Sequence, residues 1–132
     1  MAKLQVIADT SFLMIPGLFG VDIIRELDRL LERHYVLVTP DPVKKELEGL
    51  AERGRPIERS AARLGLILLS RGKAAKADEP ADEAILKLAN RGDCTVGTTD
   101  AVLRKKLRSL GVPVIYLRER SHLAMEGRIG QT

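Results

Sequence analysis

Residues 4–9 read LQVIAD, an almost unbroken apolar run that ends in an aspartate. A short run of this kind predicts a buried β-strand. An acid at its carboxyl end would open into the crevice where open parallel sheets bind their ligands. Asp9 could instead cap a helix that begins near Ser11, because aspartate often accepts backbone hydrogen bonds there. Asp9 alone fits both interpretations, and the acids farther along the chain favour the first.

A second run of the same kind appears late in the chain. Residues 94–100 read CTVGTTD, again a short apolar strand that leads into an aspartate, Asp100. Carboxyl ends of parallel strands meet at one edge of a sheet, so Asp9 and Asp100 are expected to face the same crevice. Two strand-end carboxylates in one small basic protein suggest a metal site that acts on a polyanion.

Between these two runs, strand-like and helical patterns alternate. Continuous apolar runs predict strands at residues 4–9, 35–38, 95–98 and 112–117. Helical spacing predicts helices at residues 20–33, 42–53, 80–90 and 101–110. This order predicts an α/β fold in which helices cover both faces of a mostly parallel sheet.

The remaining segments are less regular. Residues 57–63 have a helical pattern, whereas residues 66–69 suit either a helix or a strand. Residues 71–79 are expected to form a polar linker, and residues 119–132 a polar C-terminal tail. A chain of 132 residues predicts a single domain over residues 1–132.

The composition limits the classes of protein to consider. A net charge of +4 mildly favours an anionic partner such as nucleic acid. The one cysteine, Cys94, excludes an intrachain disulfide and a cysteine-based zinc site, and it fits a cytoplasmic location. The sequence contains no apolar run long enough to span a membrane and no signal-peptide pattern. Dinucleotide-binding and P-loop glycine motifs are also absent.

The helix predicted at residues 42–53 carries one acid that could face the sheet edge. Val43, Leu47 and Leu50 share its apolar face, and Glu46 lies roughly 65° from the centre of that face at about 100° per residue. Glu48 lies about twice as far round and is expected to be solvated. Glu46 is therefore the better ligand candidate, although a surface glutamate on an amphipathic helix is an equally ordinary interpretation.

The helix predicted at residues 80–90 carries a second candidate. Asp82 precedes Ile85 by three residues and is expected to share its apolar side, where an acid is costly unless it is paired or binds a cation. Asp82 could instead be an N-terminal helix acid that the backbone amides satisfy. Glu83 points away, and Asp78 and Glu79 are better explained as cap and linker residues.

The acids Asp9, Glu46, Asp82 and Asp100 could therefore converge on one site. Clustered carboxylates repel one another and hold protons unless a cation neutralises them. Oxygen ligands favour Mg²⁺ or Mn²⁺, which can activate water and stabilise the oxyanions of displacement at phosphorus. The histidines His34 and His122 lack metal-ligand spacing, and a Ser/His/Asp hydrolase has no motif support.

These residues resemble the four acidic motifs of the PIN-domain nucleases, in the family's order and spacing. Asp9 with Thr10 and Ser11 resembles the first motif, and Val43-x-x-Glu46-Leu47 the second. Asp82-x-x-Ile85 resembles the third, and Thr98-x-Asp100 the fourth, with Thr98 as a supporting hydroxyl. The stretch from Thr98 to Leu117 looks most like the archaeal branch related to the ribosomal-RNA-processing Fcf1 proteins. Thr99 departs from that branch, which usually has asparagine there.

The resemblance implies a three-layer α/β/α sandwich, an endoribonuclease that depends on a divalent metal, and frequent homodimers. Basic side chains fit such an enzyme, and Lys44, Lys45, Arg104 and Lys106 are candidates to hold RNA phosphates. Aromatic residues make up 3% of the chain, so RNA is expected to be recognised by backbone and shape rather than by base stacking.

Three functions remain open at this level. The chain could be a nuclease that matures ribosomal or other RNA, together with a processing factor. It could be the ribonuclease toxin of a toxin–antitoxin pair, with an antitoxin as its protein partner. It could also be a non-catalytic RNA-binding module, but retention of all four acids argues against that.

Overall fold

The computed structural model describes residues 3–130, and within them the chain alternates strands and helices much as the pattern predicts. The strands are β1 (Leu4–Ala8), β2 (Tyr35–Pro40), β3 (Lys73–Ala75), β4 (Cys94–Gly97), β5 (Val114–Arg118) and β6 (His122–Glu126). The helices are α1 (Thr10–Leu13), α2 (Ile15–Phe19), α3 (Ile23–Leu31), α4 (Asp41–Arg53), α5 (Pro56–Ser70), α6 (Ala81–Ala89) and α7 (Ala101–Ser109).

The strands form a six-stranded sheet in the order β3-β2-β1-β4-β5-β6. All neighbours are parallel except β5 and β6, which are antiparallel. The sheet confirms the predicted mostly parallel α/β class. In the register of the two central strands, Ala8 of β1 lies opposite Gly97 of β4. The residues that follow them, Asp9 and Thr98, therefore emerge side by side at one edge of the sheet.

The central strands lie in the core, which explains their continuous apolar sequences. Val6, Ile7 and Ala8 of β1 and Val96 of β4 are fully inaccessible to solvent. A strand that is buried on both faces has no position for a solvated polar residue, which is typical of parallel sheets. The polar side chains Asp9 and Thr98 therefore follow directly after these strands end.

The helix that Asp9 could cap near Ser11 is α1, and α2 follows it after Met14. These helices are only four and five residues long. Their position depends on contact with α5, because a Cβ atom at Gly17 would lie 2.3 Å from the Cα atom of Ala61. The ambiguous residues 57–69 belong entirely to α5, in which Ala61, Ala62 and Gly65 are buried.

Two predictions at the edges of the sheet were wrong. The expected linker at residues 71–79 contains β3, which pairs with β2. The expected tail at residues 119–132 contains β6, which pairs with β5; Gln131 and Thr132 lie outside the described residues. Edge strands need only one apolar face, so their sequences look polar. Tertiary contacts hold β6, since Glu26 accepts the backbone N–H of Leu123 and Arg29 donates to its carbonyl oxygen.

Among residues 3–130, no helix has the length and apolar character needed to cross a membrane.

Candidate active site

Asp9 lies directly beyond β1, and its carboxylate is 7% exposed. Its Oδ1 accepts the backbone N–H of Phe12 at 2.9 Å, so Asp9 caps α1. The same oxygen accepts the hydroxyl of Ser11 at 2.6 Å, while Oδ2 accepts the hydroxyl of Thr98. Both interpretations of Asp9 are therefore combined, because the residue is a helix cap and also a buried acid at the sheet edge.

Two hydroxyl groups join the ends of β1 and β4. Thr98 donates to Asp9 and accepts the backbone N–H of Asp100 at 3.0 Å. Ser11 donates to Asp9 and accepts the backbone N–H of Thr99 at 2.9 Å. Each hydroxyl has one proton, and both protons point at the same carboxylate. The network therefore suits an ionised Asp9, which can only accept hydrogen bonds.

Burial raises the pKa of the Asp9 carboxyl above its ordinary value, because the charged form loses hydration. The hydrogen bonds from Ser11, Thr98 and Phe12 oppose that rise by stabilising the charge. The negative charge of Asp100 adds a smaller increase. A bound cation would relieve both burial and repulsion, so the electrostatics of Asp9 favour a cation beside it.

A glycine makes the close approach of the two strand ends possible. A Cβ atom at Gly97, the last residue of β4, would lie 2.6 Å from the ring of Phe12. The carbonyl oxygen of Gly97 also accepts the backbone N–H of Asp9 at 3.2 Å. Gly97 thus lets Phe12 pack over the sheet while Asp9 stays in register with Thr98.

Asp100 is exposed and caps α7. Its Oδ1 accepts the backbone N–H groups of Val102 at 2.8 Å and Leu103 at 3.2 Å. The N-terminus of a helix stabilises a negative charge, so the position suits an ionised carboxylate. Asp100 lies two residues from Thr98, and their hydrogen bond connects it to the Asp9 network.

The other two acids project from helices. Glu46 on α4 is exposed, and its Oε2 accepts the hydroxyl of Thr10 at 2.8 Å. Asp82 is also exposed, so its predicted place on the buried side of the helix is wrong. Asp82 lies in the first turn of α6, where side chains extend past the helix end, while Ala84 and Ile85 face the core.

One open cavity of about 500 Å³ brings the predicted acids together. Asp9, Glu46, Asp82 and Asp100 all line it, as do Thr10, Ser11 and Thr99. Thr98 is buried beneath the cavity and acts through Asp9. The apolar part of the cavity wall consists of Met14, Leu18, Phe19, Leu50, Ile57 and Ala81.

The donor set suits a hard divalent cation, because the acids supply oxygen ligands only. The carboxylate oxygens do not lie close enough together to bind a metal ion without movement. Among residues 3–130, no group of three or more His, Cys, Asp or Glu side chains is close enough to hold a metal ion. Glu46 and Asp82 are exposed side chains and can change rotamer. Asp9, Asp100, Glu46 and Asp82 are the residues that would hold such a cation.

Sequence reasoning missed the apolar residues of the cavity and two charged ones, Arg55 and Glu58. The Glu58 carboxylate accepts the backbone N–H of Arg55 at 2.9 Å and its Nε at 3.2 Å, which caps α5. These bonds, chiefly the backbone one, lower the pKa of the Glu58 carboxyl. An acid three residues into a helix is the sequence signal of such a cap. Glu58 is thus an acid with a structural role.

The predicted phosphate-binding residues are scattered. Lys44 and Lys45 are exposed on α4, and Lys45 lines a second cavity that shares Glu46, Leu50, Arg55 and Glu58 with the first. Arg53 lines this adjoining cavity as well. Arg104 is instead paired with Glu126 and lies 3.6 Å from the ring centroid of Tyr116. Lys106 is exposed on α7 and is not among the residues that line either cavity.

Comparisons with known proteins agree with this architecture. Residues 6–120 match the family model described as a PIN like domain. Ribonuclease VapC9 of Archaeoglobus fulgidus is 29% identical over 120 residues, which are 91% of this chain and 87% of the relative. Ribonuclease VapC4 of Methanocaldococcus jannaschii is 28% identical over 131 residues, which are 95% of this chain and 98% of the relative.

Solved structures share the fold at low sequence identity. The structure of the PIN domain endonuclease Utp24 matches with a TM-score of 0.76 and 21% identity, over 97% of this chain and 95% of that one. A domain of a functionally unknown protein from Methanocaldococcus jannaschii matches with a TM-score of 0.60 and 20% identity, over 98% of both chains. These likenesses support the predicted α/β/α class and concern the fold alone.

Proposed function

The chain belongs to the PIN-like domain family, and from that membership we propose that it is a divalent-metal-dependent endoribonuclease that hydrolyses RNA phosphodiester bonds. The observation that carries the proposal is the single cavity lined by Asp9, Glu46, Asp82 and Asp100. The two curated relatives named as ribonucleases support RNA as the substrate.

The chain's own residues have distinct roles in this proposal. Mg²⁺ or Mn²⁺, when bound, supplies a Lewis acid that activates water and neutralises charge at phosphorus. Asp9 and Asp100 provide carboxylates whose direction is set by backbone N–H groups at the starts of α1 and α7. Ser11 and Thr98 are positioning residues, since their hydroxyls fix both oxygens of Asp9. Glu46 and Asp82 complete the ligand set from the helices.

The adjoining cavity offers a path for the RNA backbone. Lys45, Arg53 and Arg55 line it, and it meets the acid-lined cavity at Arg55. The side chains of Arg53 and Arg55 are 76% and 82% exposed in their ion pairs with Glu52 and Glu58. Exposed pairs of this kind are weak, so phosphate oxygens can compete for these cations. We propose this groove as the phosphate track, together with Lys44, which is exposed on the same helix as Lys45, in preference to Arg104 and Lys106.

The proposal is tested by cleavage of labelled RNA with Mg²⁺, with Mn²⁺ and with excess EDTA. Cleavage is expected with either metal and is expected to stop in EDTA. Asp9→Asn, purified in parallel, should be inactive and so exposes any contaminating nuclease, whereas Glu83→Gln should cleave normally. Added metal should also raise the melting temperature, because it binds only the folded acid cluster. Cleavage by the wild type that persists in EDTA while Asp9→Asn stays inactive would contradict the metal role.

The same assay separates catalysis from mere binding. A non-catalytic RNA-binding module would bind RNA at low salt and leave it intact under every metal condition. Because Asp9, Glu46, Asp82 and Asp100 are all present at the cavity, we expect cleavage. We propose that this cleavage serves rRNA maturation or other RNA processing.

A second cellular role is favoured by the names of the curated relatives. Both are ribonucleases named VapC, which supports a ribonuclease toxin with an antitoxin as its protein partner. Induced expression in a bacterial host should then arrest growth, and Asp9→Asn should not. If the protein instead processes a specific ribosomal RNA, expression of either the wild type or Asp9→Asn should leave growth unaffected. The gene beside this one provides a second test, since a toxin should neighbour a small antitoxin gene.

A cytoplasmic location and a homodimer are further parts of the proposal. The homodimer is checked by light scattering coupled to gel filtration, at several protein concentrations.

A further inference from the structure

The chain contains four aromatic residues, and their positions differ sharply. Phe12 is fully buried, Tyr35 is partly buried and donates its hydroxyl to Asp28, and Tyr116 lies beneath Arg104. Phe19 is the exception, because it is 39% exposed and lines the acid-lined cavity. Leu18 and Ile57 line the same wall and are also exposed. Exposed apolar side chains that cluster beside a polar site usually mark a binding surface.

Local structure holds Phe19 in this position. Phe19 is the last residue of α2, and Gly20 ends that helix with a φ of 70°, a left-handed conformation that favours glycine. The tight contact between Gly17 and Ala61 places α2 directly against α5, from whose first turn Ile57 projects. Leu18, Phe19 and Ile57 therefore belong to two packed helices and are not carried on a loop.

We propose that Phe19, with Leu18 and Ile57, forms a nucleobase subsite that stacks one unpaired base of the RNA next to the scissile phosphate. The inference rests on the proposed function and deepens it, because it names the side chains of this chain that would contact a base beside the scissile phosphate. It also replaces the expectation, drawn from the low aromatic content, that base stacking has no part in recognition.

The occupant follows from what adjoins the wall. The acids would hold a metal that binds the scissile phosphate, and Lys45, Arg53 and Arg55 line the adjoining groove. An apolar surface in the same cavity as a phosphate site, with a cation-lined groove adjoining that cavity, fits a polyanion that carries flat rings. A purely apolar protein segment would make no use of those cations. A base paired inside a helix exposes only its edges, so a ring that stacks on Phe19 must be unpaired.

Binding is measured in Ca²⁺, which takes oxygen ligands and replaces the catalytic metal. The probe is a short unstructured RNA with the fluorescent base 2-aminopurine placed at each position in turn. Stacking should quench the fluorescence at one or two adjacent positions. Phe19→Ala should abolish this quenching and weaken binding about 5- to 150-fold, the fold-change that corresponds to loss of one aromatic stack.

Matched variants separate stacking from folding and from simple apolar contact. Phe19→Tyr keeps the ring and should retain quenching, whereas Phe19→Leu keeps the apolar volume and should lose it. Leu110→Ala removes an exposed apolar side chain beyond α7, outside the cavity, and should bind as the wild type does. The melting temperature of each variant shows that the fold is intact.

The outcomes distinguish this subsite from the proposed activity. Unchanged binding and quenching in Phe19→Ala would overturn the subsite, even if the wild type cleaves RNA, and would leave the wall to a protein partner. Quenching that depends on Phe19, together with no cleavage in Mg²⁺ or Mn²⁺, would support the subsite and refute the nuclease. Preference for a perfect duplex over the unstructured strand would also overturn the subsite.

Discussion

The two pairs of acids around the cavity are held in opposite ways. Asp9 and Asp100 follow neighbouring strands, and each accepts backbone N–H groups from the helix that it caps. Glu46 and Asp82 are exposed on α4 and α6, and Glu46 is oriented by the hydroxyl of Thr10. The strand-end acids are thus ordered before any ligand arrives. The helix acids keep rotamer freedom that a bound cation must remove.

This difference gives one site two acids in fixed positions and two acids that can move to meet a ligand. Burial of a carboxylate costs free energy, and the three hydrogen bonds to Asp9 offset part of that cost. Exposed acids that accept no backbone N–H group cost little, but they bind less tightly because they must be ordered on binding. We therefore expect the strand-end acids to be indispensable and the helix acids to set how much metal the site requires.

The largest effect is expected from Asp9→Asn and Asp100→Asn. Each removes a preordered carboxylate, so activity should fall by more than about 100-fold. Loss of a side chain that only hydrogen-bonds to a metal ligand costs up to about 100-fold, and loss of the ligand itself should cost more. Extra metal should not restore it. Asparagine caps helices as well as aspartate, so α7 should remain folded in Asp100→Asn. RNA cleavage at rising Mn²⁺ concentrations measures this, and recovery of Asp9→Asn at high metal would abolish the distinction.

The helix acids are expected to give the next largest effect. Glu46→Gln and Asp82→Asn should lower activity about 10- to 100-fold at low metal and recover substantially at high metal, because they weaken metal binding more than they disturb the site. Glu48→Gln and Glu83→Gln are matched controls on the same helices and should be nearly neutral. A Glu48→Gln variant that is inactive beside an active Glu46→Gln would show that the orientation of α4 has been misassigned.

Thr98→Val tests the rigidity of the strand-end pair without touching a carboxylate. It leaves Asp9 Oδ2 without its donor and the N–H of Asp100 without its acceptor. We expect about a 10-fold loss of kcat, at the low end for a partner that orients a ligand, and a loss of about 1–3 kcal/mol in unfolding free energy.

Thr95→Val is the matched control for this variant. It removes another buried hydroxyl hydrogen bond, from Thr95 to the carbonyl of Pro113 at 2.9 Å. It should reduce stability by a similar amount while kcat stays normal. Equal losses of kcat in both variants would mean that Thr98 contributes only to folding.

A smaller effect is expected in the pH dependence of activity. Asp9 must be ionised to hold a cation, and its pKa in the free protein is raised by burial. At subsaturating metal, kcat/KM should therefore fall with decreasing pH at a value above the ordinary aspartate range. Thr98→Val removes a hydrogen bond that lowers this pKa, so the acid limb should move to still higher pH. If the acid limb of the kcat/KM profile lies in the ordinary aspartate range, an acid other than Asp9 limits the rate.

The pH dependence of the stability of the metal-free protein tests the direction of the pKa shift of Asp9 independently. A raised pKa means that folded Asp9 binds a proton more readily than unfolded Asp9 does. Its contribution is therefore present at low pH and is lost as the pH rises from 3.8 through the raised pKa. The difference in unfolding free energy between wild type and Asp9→Asn, measured by denaturant titration across that range, isolates this contribution from acids with lowered pKa values such as Glu126.

Much of the site could be predicted because strong local patterns carry it. Continuous apolar runs identified β1 and β4, and an acid after each strand had to face the same crevice. The face of Glu46 was also recoverable from helical geometry. The face of Asp82 was not, because α6 begins at Ala81 and its first turn projects beyond the apolar core. Helical periodicity says little about side chains at a helix end.

The amino-acid sequence by itself determined the alternation of strands and helices, the parallel centre of the sheet and the strand-end acids. These depend on local apolar spacing and on the position of a residue along its own strand. Tertiary contacts instead determine the edge strands β3 and β6, the short helix α2 and the exposed position of Phe19. Each of these depends on contacts between residues far apart in the chain, such as Gly17 against Ala61 and Glu26 with Leu123. A short or polar segment has too few local interactions to offset its conformational entropy, so its structure is set by what packs against it.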